Sequence, residues 1–226
     1  QAKVAEEAAT KVNTVKANVE KYLHQASEAN STAQVLTQTA KAKKETATEE
    51  TARLASLVAE LTQMASEHPQ NSGVATILKE KTSLASTASV AVNQVNALAT
   101  TAVSAAAEAM AKYPEVLAQE NLSNSEASEA TSVASAAQSF ALKAAEEETD
   151  SLATVASEVA TKAELTEQTA ASAATKAISA AELTATTVEK MKVPQATLVQ
   201  VLKTLQNAKT QAFWRMIPTT FATSQQ

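Results

Sequence analysis

The stretch Ala5–Met64 reads AEEAATKVNTVKANVEKYLHQASEANSTAQVLTQTAKAKKETATEETARLASLVAELTQM, and its period decides the fold. Every seventh residue from Ala5 is apolar: Ala5, Val12, Val19, Ala26, Ala33, Ala40, Ala47, Leu54 and Leu61. A second set, three residues further on, runs Ala8, Val15, Tyr22, Ala29, Leu36, Lys43, Glu50, Leu57 and Met64, broken only by Lys43 and Glu50. A heptad this long with neither Gly nor Pro predicts one continuous helix, about 90 Å long, in a coiled-coil-like bundle. The rest of the chain must cover this seam.

Composition agrees. The chain has 226 residues, 45% of them hydrophobic, with one Gly, four Pro and no Cys. Ala supplies about half of the hydrophobic share. Scarce Gly and Pro oppose a turn-rich β protein and favour few, long helices. Ala is the best helix former, whereas the abundant Thr and Ser are mediocre, so packing must hold the helices. The net charge of −5 opposes nucleic-acid binding, and no basic membrane stripe stands out. No run of about 18 apolar residues exists to span a bilayer. The chain begins with Gln1 rather than Met, which suggests a removed signal peptide or trimming.

Helix A is expected from Ala2 to Glu67, ended by His68-Pro69-Gln70-Asn71-Ser72-Gly73, a turn that reverses the chain. Helix B follows from Val74 to Lys112 on a seam that includes Val74, Ile77, Lys81, Leu84, Ala88 and Val95. Tyr113-Pro114 then breaks or kinks it, and 115–122 continue for two turns. Ser123-Asn124-Ser125 reads as a second turn, with Ser125 as N-cap of helix C, Glu126–Lys192. The acidic run Glu146–Asp150 interrupts that helix and suggests a bend. Pro194 ends it. Helix D covers Gln195–Arg215 on Leu198, Val201, Leu205, Ala208 and Ala212, and Pro218 stops it. The expected fold is all-α: an elongated antiparallel bundle of three long helices, with a short fourth C-terminal helix packed back at one end. Residues 1–218 would form this single extended bundle and 219–226 a tail. A disordered Ala/Lys/Glu/Thr-rich polypeptide is the alternative, opposed by the unbroken seam and the prolines that punctuate the helices.

Chemistry-bearing residues are sparse. His24 and His68 lie far apart without Cys or spaced carboxylates, so they read as surface histidines rather than metal ligands. One Gly leaves no phosphate-cradling loop, and no catalytic motif occurs. No catalytic residue, metal site or cofactor is expected. Glu146–Asp150 reads as a solvated face, and Lys41-Ala42-Lys43-Lys44 before Glu45, Glu49 and Glu50 as helix-surface pairing. Lys43, Glu50 and Lys81 occupy core positions, where a polar group commonly sets register; a loosened, functional opening is the alternative. Asn30-Ser31-Thr32 and Asn121-Leu122-Ser123 match the glycosylation sequon, Asn121 being the better candidate because a turn is expected beside it. Three of the six aromatics fall within Phe213-Trp214-Arg215-Met216-Ile217-Pro218-Thr219-Thr220-Phe221. They are expected to plug the bundle near helix D, the other reading being an apolar patch for a partner.

Ala47-Thr48-Glu49-Glu50-Thr51-Ala52, Ala144-Ala145-Glu146-Glu147-Glu148-Thr149 and Ala163-Glu164-Leu165-Thr166-Glu167-Gln168-Thr169-Ala170, in a Cys-free chain of long helices, give a further lead. The chain resembles the alanine-rich surface proteins of trypanosomes in their insect stages, above all the glutamic acid/alanine-rich family. The resemblance is one of composition and architecture. It implies a non-enzymatic surface-coat antigen, made with a signal peptide and held by a GPI anchor on the extracellular face of the cell membrane. Its implied partners are neighbouring coat molecules or ligands of the vector surface. The resemblance implies that the anchored end has been trimmed away after Gln226. The rival readings are a soluble amphipathic-bundle lipid carrier, which needs broader apolar faces, and an intracellular coiled-coil scaffold. A helical ice-binding protein would need a continued 11-residue Thr repeat, which Thr37/Thr48, Thr76/Thr87 and Thr175/Thr186 do not sustain.

Overall fold

A computed structural model describes residues 1–143 and 145–216, with side chains except those of Leu78, Arg215 and Met216. The expected Pro218 stop, the tail 219–226, and Phe221 lie outside the described residues, as does Ala144. The described chain is helical, without a strand. Helix α1 spans Ala2–Glu67, α2 Ser72–Leu142, α3 Glu146–Lys190 and α4 Lys192–Met216.

The first seam is legible residue by residue. Ala5, Val12, Val19, Ala26, Ala33, Ala40, Ala47, Leu54 and Leu61 are all buried. The second set is buried at Ala8, Val15 and Ala29 and half-buried at the rest, Lys43 and Glu50 included. A heptad row that faces the gap between two neighbouring helices buries fully, while the row beside it covers the edge.

Three of the expected helix limits are corrected. Pro114 neither ends nor divides α2, which runs on for 71 residues. The proline removes one N–H bond, to the carbonyl of Met110, four residues back. Buried Ala105, Ala106, Ala109 and Val116 flank it and hold the helix by packing. Nor is Ser123-Asn124-Ser125 a turn. Ser123 is buried, and Asn124 Nδ2 donates to Glu120 Oε1 at 2.6 Å along the same helix. The chain reverses instead after Leu142, where the amides of Lys143 and Ala145 both donate to the Phe140 carbonyl, at 3.0 and 3.1 Å. Glu146, Glu147 and Glu148 then form the first turn of α3, where negative charge meets the positive end of the helix dipole. The acidic run is therefore a helix start, not a bend within one.

The α1–α2 reversal falls where the sequence puts it. Asn71 caps α2: its Oδ1 accepts from the amides of Gly73, at 3.1 Å, and Val74, at 3.2 Å. Gly73 accordingly sits inside the first turn of the helix.

By contact the chain forms two compact units. Unit 1 holds residues 1–36 and 104–185, and unit 2 holds 37–103 and 186–226. In unit 1, Lys11 pairs with Glu164, and Asn18 Nδ2 donates to Glu167 Oε1 at 2.8 Å, so α3 runs parallel to α1. Its core is mainly Ala from all three helices, with Val12, Val15, Val19, Val116 and Val159. Such contacts bring helix axes close but bury little area each. Unit 2 is filled with larger side chains, among them Leu61, Ile77, Met191, Leu198 and Leu205.

Helix α4 departs most from expectation. Within unit 2, Gln195 meets Lys43 and Lys209 meets Glu60, so α4 runs parallel to α1 and does not fold back as a fourth layer. Met191 alone separates α3 from α4; its amide donates to Val188 O at 3.3 Å. Pro194 stands in the first turn of α4, where its missing N–H costs nothing. Each unit is thus three helices wide.

Candidate functional site

Helices crowded with Thr need an account of their hydroxyls. Thr10 Oγ1 donates to Glu6 O at 3.0 Å, Thr131 to Ala127 O at 2.8 Å and buried Thr184 to Ala180 O at 2.8 Å. The same four-residue back-bond recurs along every helix. It turns the hydroxyl proton onto the helix's own backbone and leaves a methyl outward. The threonines of these faces therefore offer few free donors of their own.

The buried and half-buried polar groups are the next candidates. In unit 2, Lys43 and Gln195 bond reciprocally: Lys43 Nζ donates to Gln195 Oε1 at 2.8 Å, and Gln195 Nε2 to Lys43 O at 3.1 Å. Lys81 is 5% exposed. Its ammonium donates to Val58 O at 3.2 Å and, in a short bond, to Thr62 Oγ1. Burial lowers its pKa below the ordinary lysine value. Burial raises that of Glu50, against the lowering by Arg53. The Glu60 carboxylate is held below its usual range by the hydrogen bond from Lys209.

Unit 1 has one comparable group. Glu126 Oε1 accepts from Thr166 Oγ1 at 3.1 Å, while Oε2 is buried without a hydrogen-bond partner. Burial raises its pKa, opposed by the Thr166 bond and by Lys162. Apart from Glu50 with Arg53, both on α1, these contacts join one helix to another. Among the described residues the backbone amides beside them lie within helices.

The sequon residues both lie within helices. Asn30 is half-buried on α1, and its Oδ1 accepts from Gln34 Nε2 at 3.4 Å. Asn121 is exposed on α2, but no turn adjoins it, and the sequon hydroxyl of Ser123 is buried. His24 is exposed beside Glu28, 3.2 Å away. Among the described residues no three His, Cys, Asp or Glu come together as metal ligands. The two described aromatics of the C-terminal group do not plug unit 2: Phe213 is 54% and Trp214 67% exposed, packed edge to face with centroids 6.1 Å apart.

Sequence reasoning on the whole chain missed the distribution of charge. Unit 1 contains eight Lys against sixteen Glu and one Asp, a balance of −9. Unit 2 contains eleven Lys and Arg against seven Glu, a balance of +4. Helix α4 has Lys192, Lys203, Lys209 and Arg215 and no acidic residue. A sum of −5 conceals this division, and the unit limits were needed to find it.

No family model matches the chain, and searches of curated proteins and of solved structures likewise find no match.

Proposed function

We propose that the chain is a non-enzymatic structural protein of a cell-surface coat, GPI-anchored on the extracellular face of the membrane, as in the insect-stage alanine-rich surface proteins of trypanosomes. It shields the bilayer and presents its outer faces to neighbouring coat molecules or to the vector surface. Sugar at Asn121 or Asn30 belongs to this reading as a modification, not as a site of activity.

The observation that carries the proposal is the construction of unit 1. Its three helices meet through Ala, which keeps the section thin, while Glu, Lys, Gln, Ser and Thr fill the outward positions. Back-bonding engages the threonine hydroxyl protons within their own helix, and a −9 balance keeps like units apart. Many thin, mutually repelling units can crowd a surface without adhering.

The test is the full-length precursor together with its release from cells. A cleavable leader before Gln1, a small-residue site with an apolar tail after Gln226, and release by phosphatidylinositol-specific phospholipase C support the proposal. A precursor without leader and tail, in a protein that surface labelling does not reach, overturns it.

A further inference from the structure

We propose that unit 2 docks on an anionic lipid surface through the outward stripe of α4 and its terminal aromatic pair. The inference stands on charge and exposure alone and does not require the chain to be lipid-anchored.

Helical spacing defines the stripe. Lys192, Val199, Lys203, Thr210 and Trp214 follow one another at intervals of seven, four, seven and four residues, which places them on one face. All five are exposed. Leu198, Val201, Leu205 and Ala212 are buried on the opposite face. The stripe therefore looks away from the core of unit 2. It offers two cations, an exposed valine and the chain's single tryptophan, with no carboxylate on the helix. Lys203 makes no ion pair among the described residues, whereas Lys192 is paired with Glu189 at 2.6 Å.

This chemistry fits a bilayer surface better than a folded acidic partner. The two cations of the stripe stand eleven residues apart along the helix and match an extended plane of charge, not one carboxylate cluster. The exposed indole and phenyl rings suit the headgroup layer, which takes an apolar ring with a polar edge. No described helix is long and apolar enough to cross a membrane, so the contact lies on the surface. The −9 balance of unit 1 gives it no such affinity.

Trp214 reports on its own docking, since it is the only tryptophan. The 226-residue chain is titrated with phosphatidylcholine vesicles, with and without about one third phosphatidylserine. A blue shift of emission is expected with the anionic vesicles only, reversed by high salt. In co-sedimentation, Lys203→Gln should weaken binding about fivefold, the effect of one surface cation, and Trp214→Ala by a similar or larger factor. Lys176→Gln, which removes an exposed lysine of unit 1, should leave binding unchanged. All three side chains are exposed, and circular dichroism checks that each variant is folded. The proposal is overturned if emission ignores anionic vesicles or if Lys176→Gln weakens binding as much as Lys203→Gln. It is overturned equally if the shift appears without lipid as protein concentration rises, which assigns the stripe to a second copy of the chain. None of these results bears on the precursor test of the coat reading.

Discussion

Lys81→Met should stabilise the protein at neutral pH. Lys81 holds a charge at a position that is 5% exposed, with no carboxylate among its hydrogen-bond partners. Met matches its length and removes the charge. The partners left behind are not orphaned, because Thr62 Oγ1 already donates to Val58 O at 2.7 Å within α1. Replacing buried ionic groups by apolar ones of like volume is neutral or stabilising by up to about 4 kcal/mol. Two charge-assisted hydrogen bonds are lost, so the expected gain is at the low end, about 1 kcal/mol. For a chain of this size that raises Tm by about 2–4 °C. Lys81→Ala, which also removes the buried stem, should cost about 1–3 kcal/mol. The pH dependence follows from the lowered pKa of Lys81. Below that value both states carry the proton and the burial penalty is complete. As pH rises from there toward the ordinary lysine value, the folded state loses its proton first and wild type gains stability. The advantage of the Met variant should therefore shrink with rising pH. Urea unfolding by circular dichroism, from neutral pH to about pH 10, measures both effects. A Met variant less stable than wild type by 1 kcal/mol or more, or one that changes oligomeric state, refutes this reasoning and gives Lys81 the register-setting role.

Four further substitutions test the helices. Pro114→Ala restores an N–H bond to Met110 O inside α2 and should stabilise by about 2 kcal/mol, read from the urea midpoint, after the gain in unfolded-chain entropy is subtracted. Ala130→Leu adds volume where Ala130 is fully buried in the narrow core of unit 1 and should cost about 1–3 kcal/mol; Ala52→Leu, at an exposed position of unit 2, should change stability by less than about 0.5 kcal/mol in the same assay. Glu126→Gln should stabilise by under about 1 kcal/mol at pH 7. Its raised pKa means that the unfolded state ionises first as pH rises through the ordinary carboxylate range, so the Gln advantage should vanish in unfolding curves taken below that range.

The seams were legible because burial repeats with the heptad. Positions from Ala5 to Leu61, and from Val74 to Ala109 on α2, are buried or half-buried where the period puts them. Helix limits were less legible, because turn residues state a local preference that packing can override. Ser123-Asn124-Ser125 has the composition of a turn, yet Ser123 fits among alanines at 1% exposure and Asn124 finds Glu120 along the helix. Glu146–Glu148 looks like an interruption, yet three carboxylates suit a helix start better than a helix middle. Length arbitrates between such readings. Once α2 keeps its 71 residues, the 45 of α3 and the 25 of α4, with Met191 between them, are what remains to cover it.

The polar core positions divide by what faces them. Lys43 is a register device in the strict sense, since Gln195 answers both its ammonium and its backbone carbonyl. A shift of one residue between α1 and α4 would break both bonds together. Lys81 reaches a carbonyl and a hydroxyl on α1 that already have each other, so its presence adds no comparable specificity. Glu50 leaves Oε2 buried without a hydrogen-bond partner. A heptad marks all three as the same kind of exception. What separates them is the residue across the gap, and that residue is 152 positions away for Lys43 and 19 for the Lys81–Thr62 contact. Periodicity along one helix carries no information about such pairs, so the part of the interior that discriminates between registers becomes visible only when the helices are placed side by side.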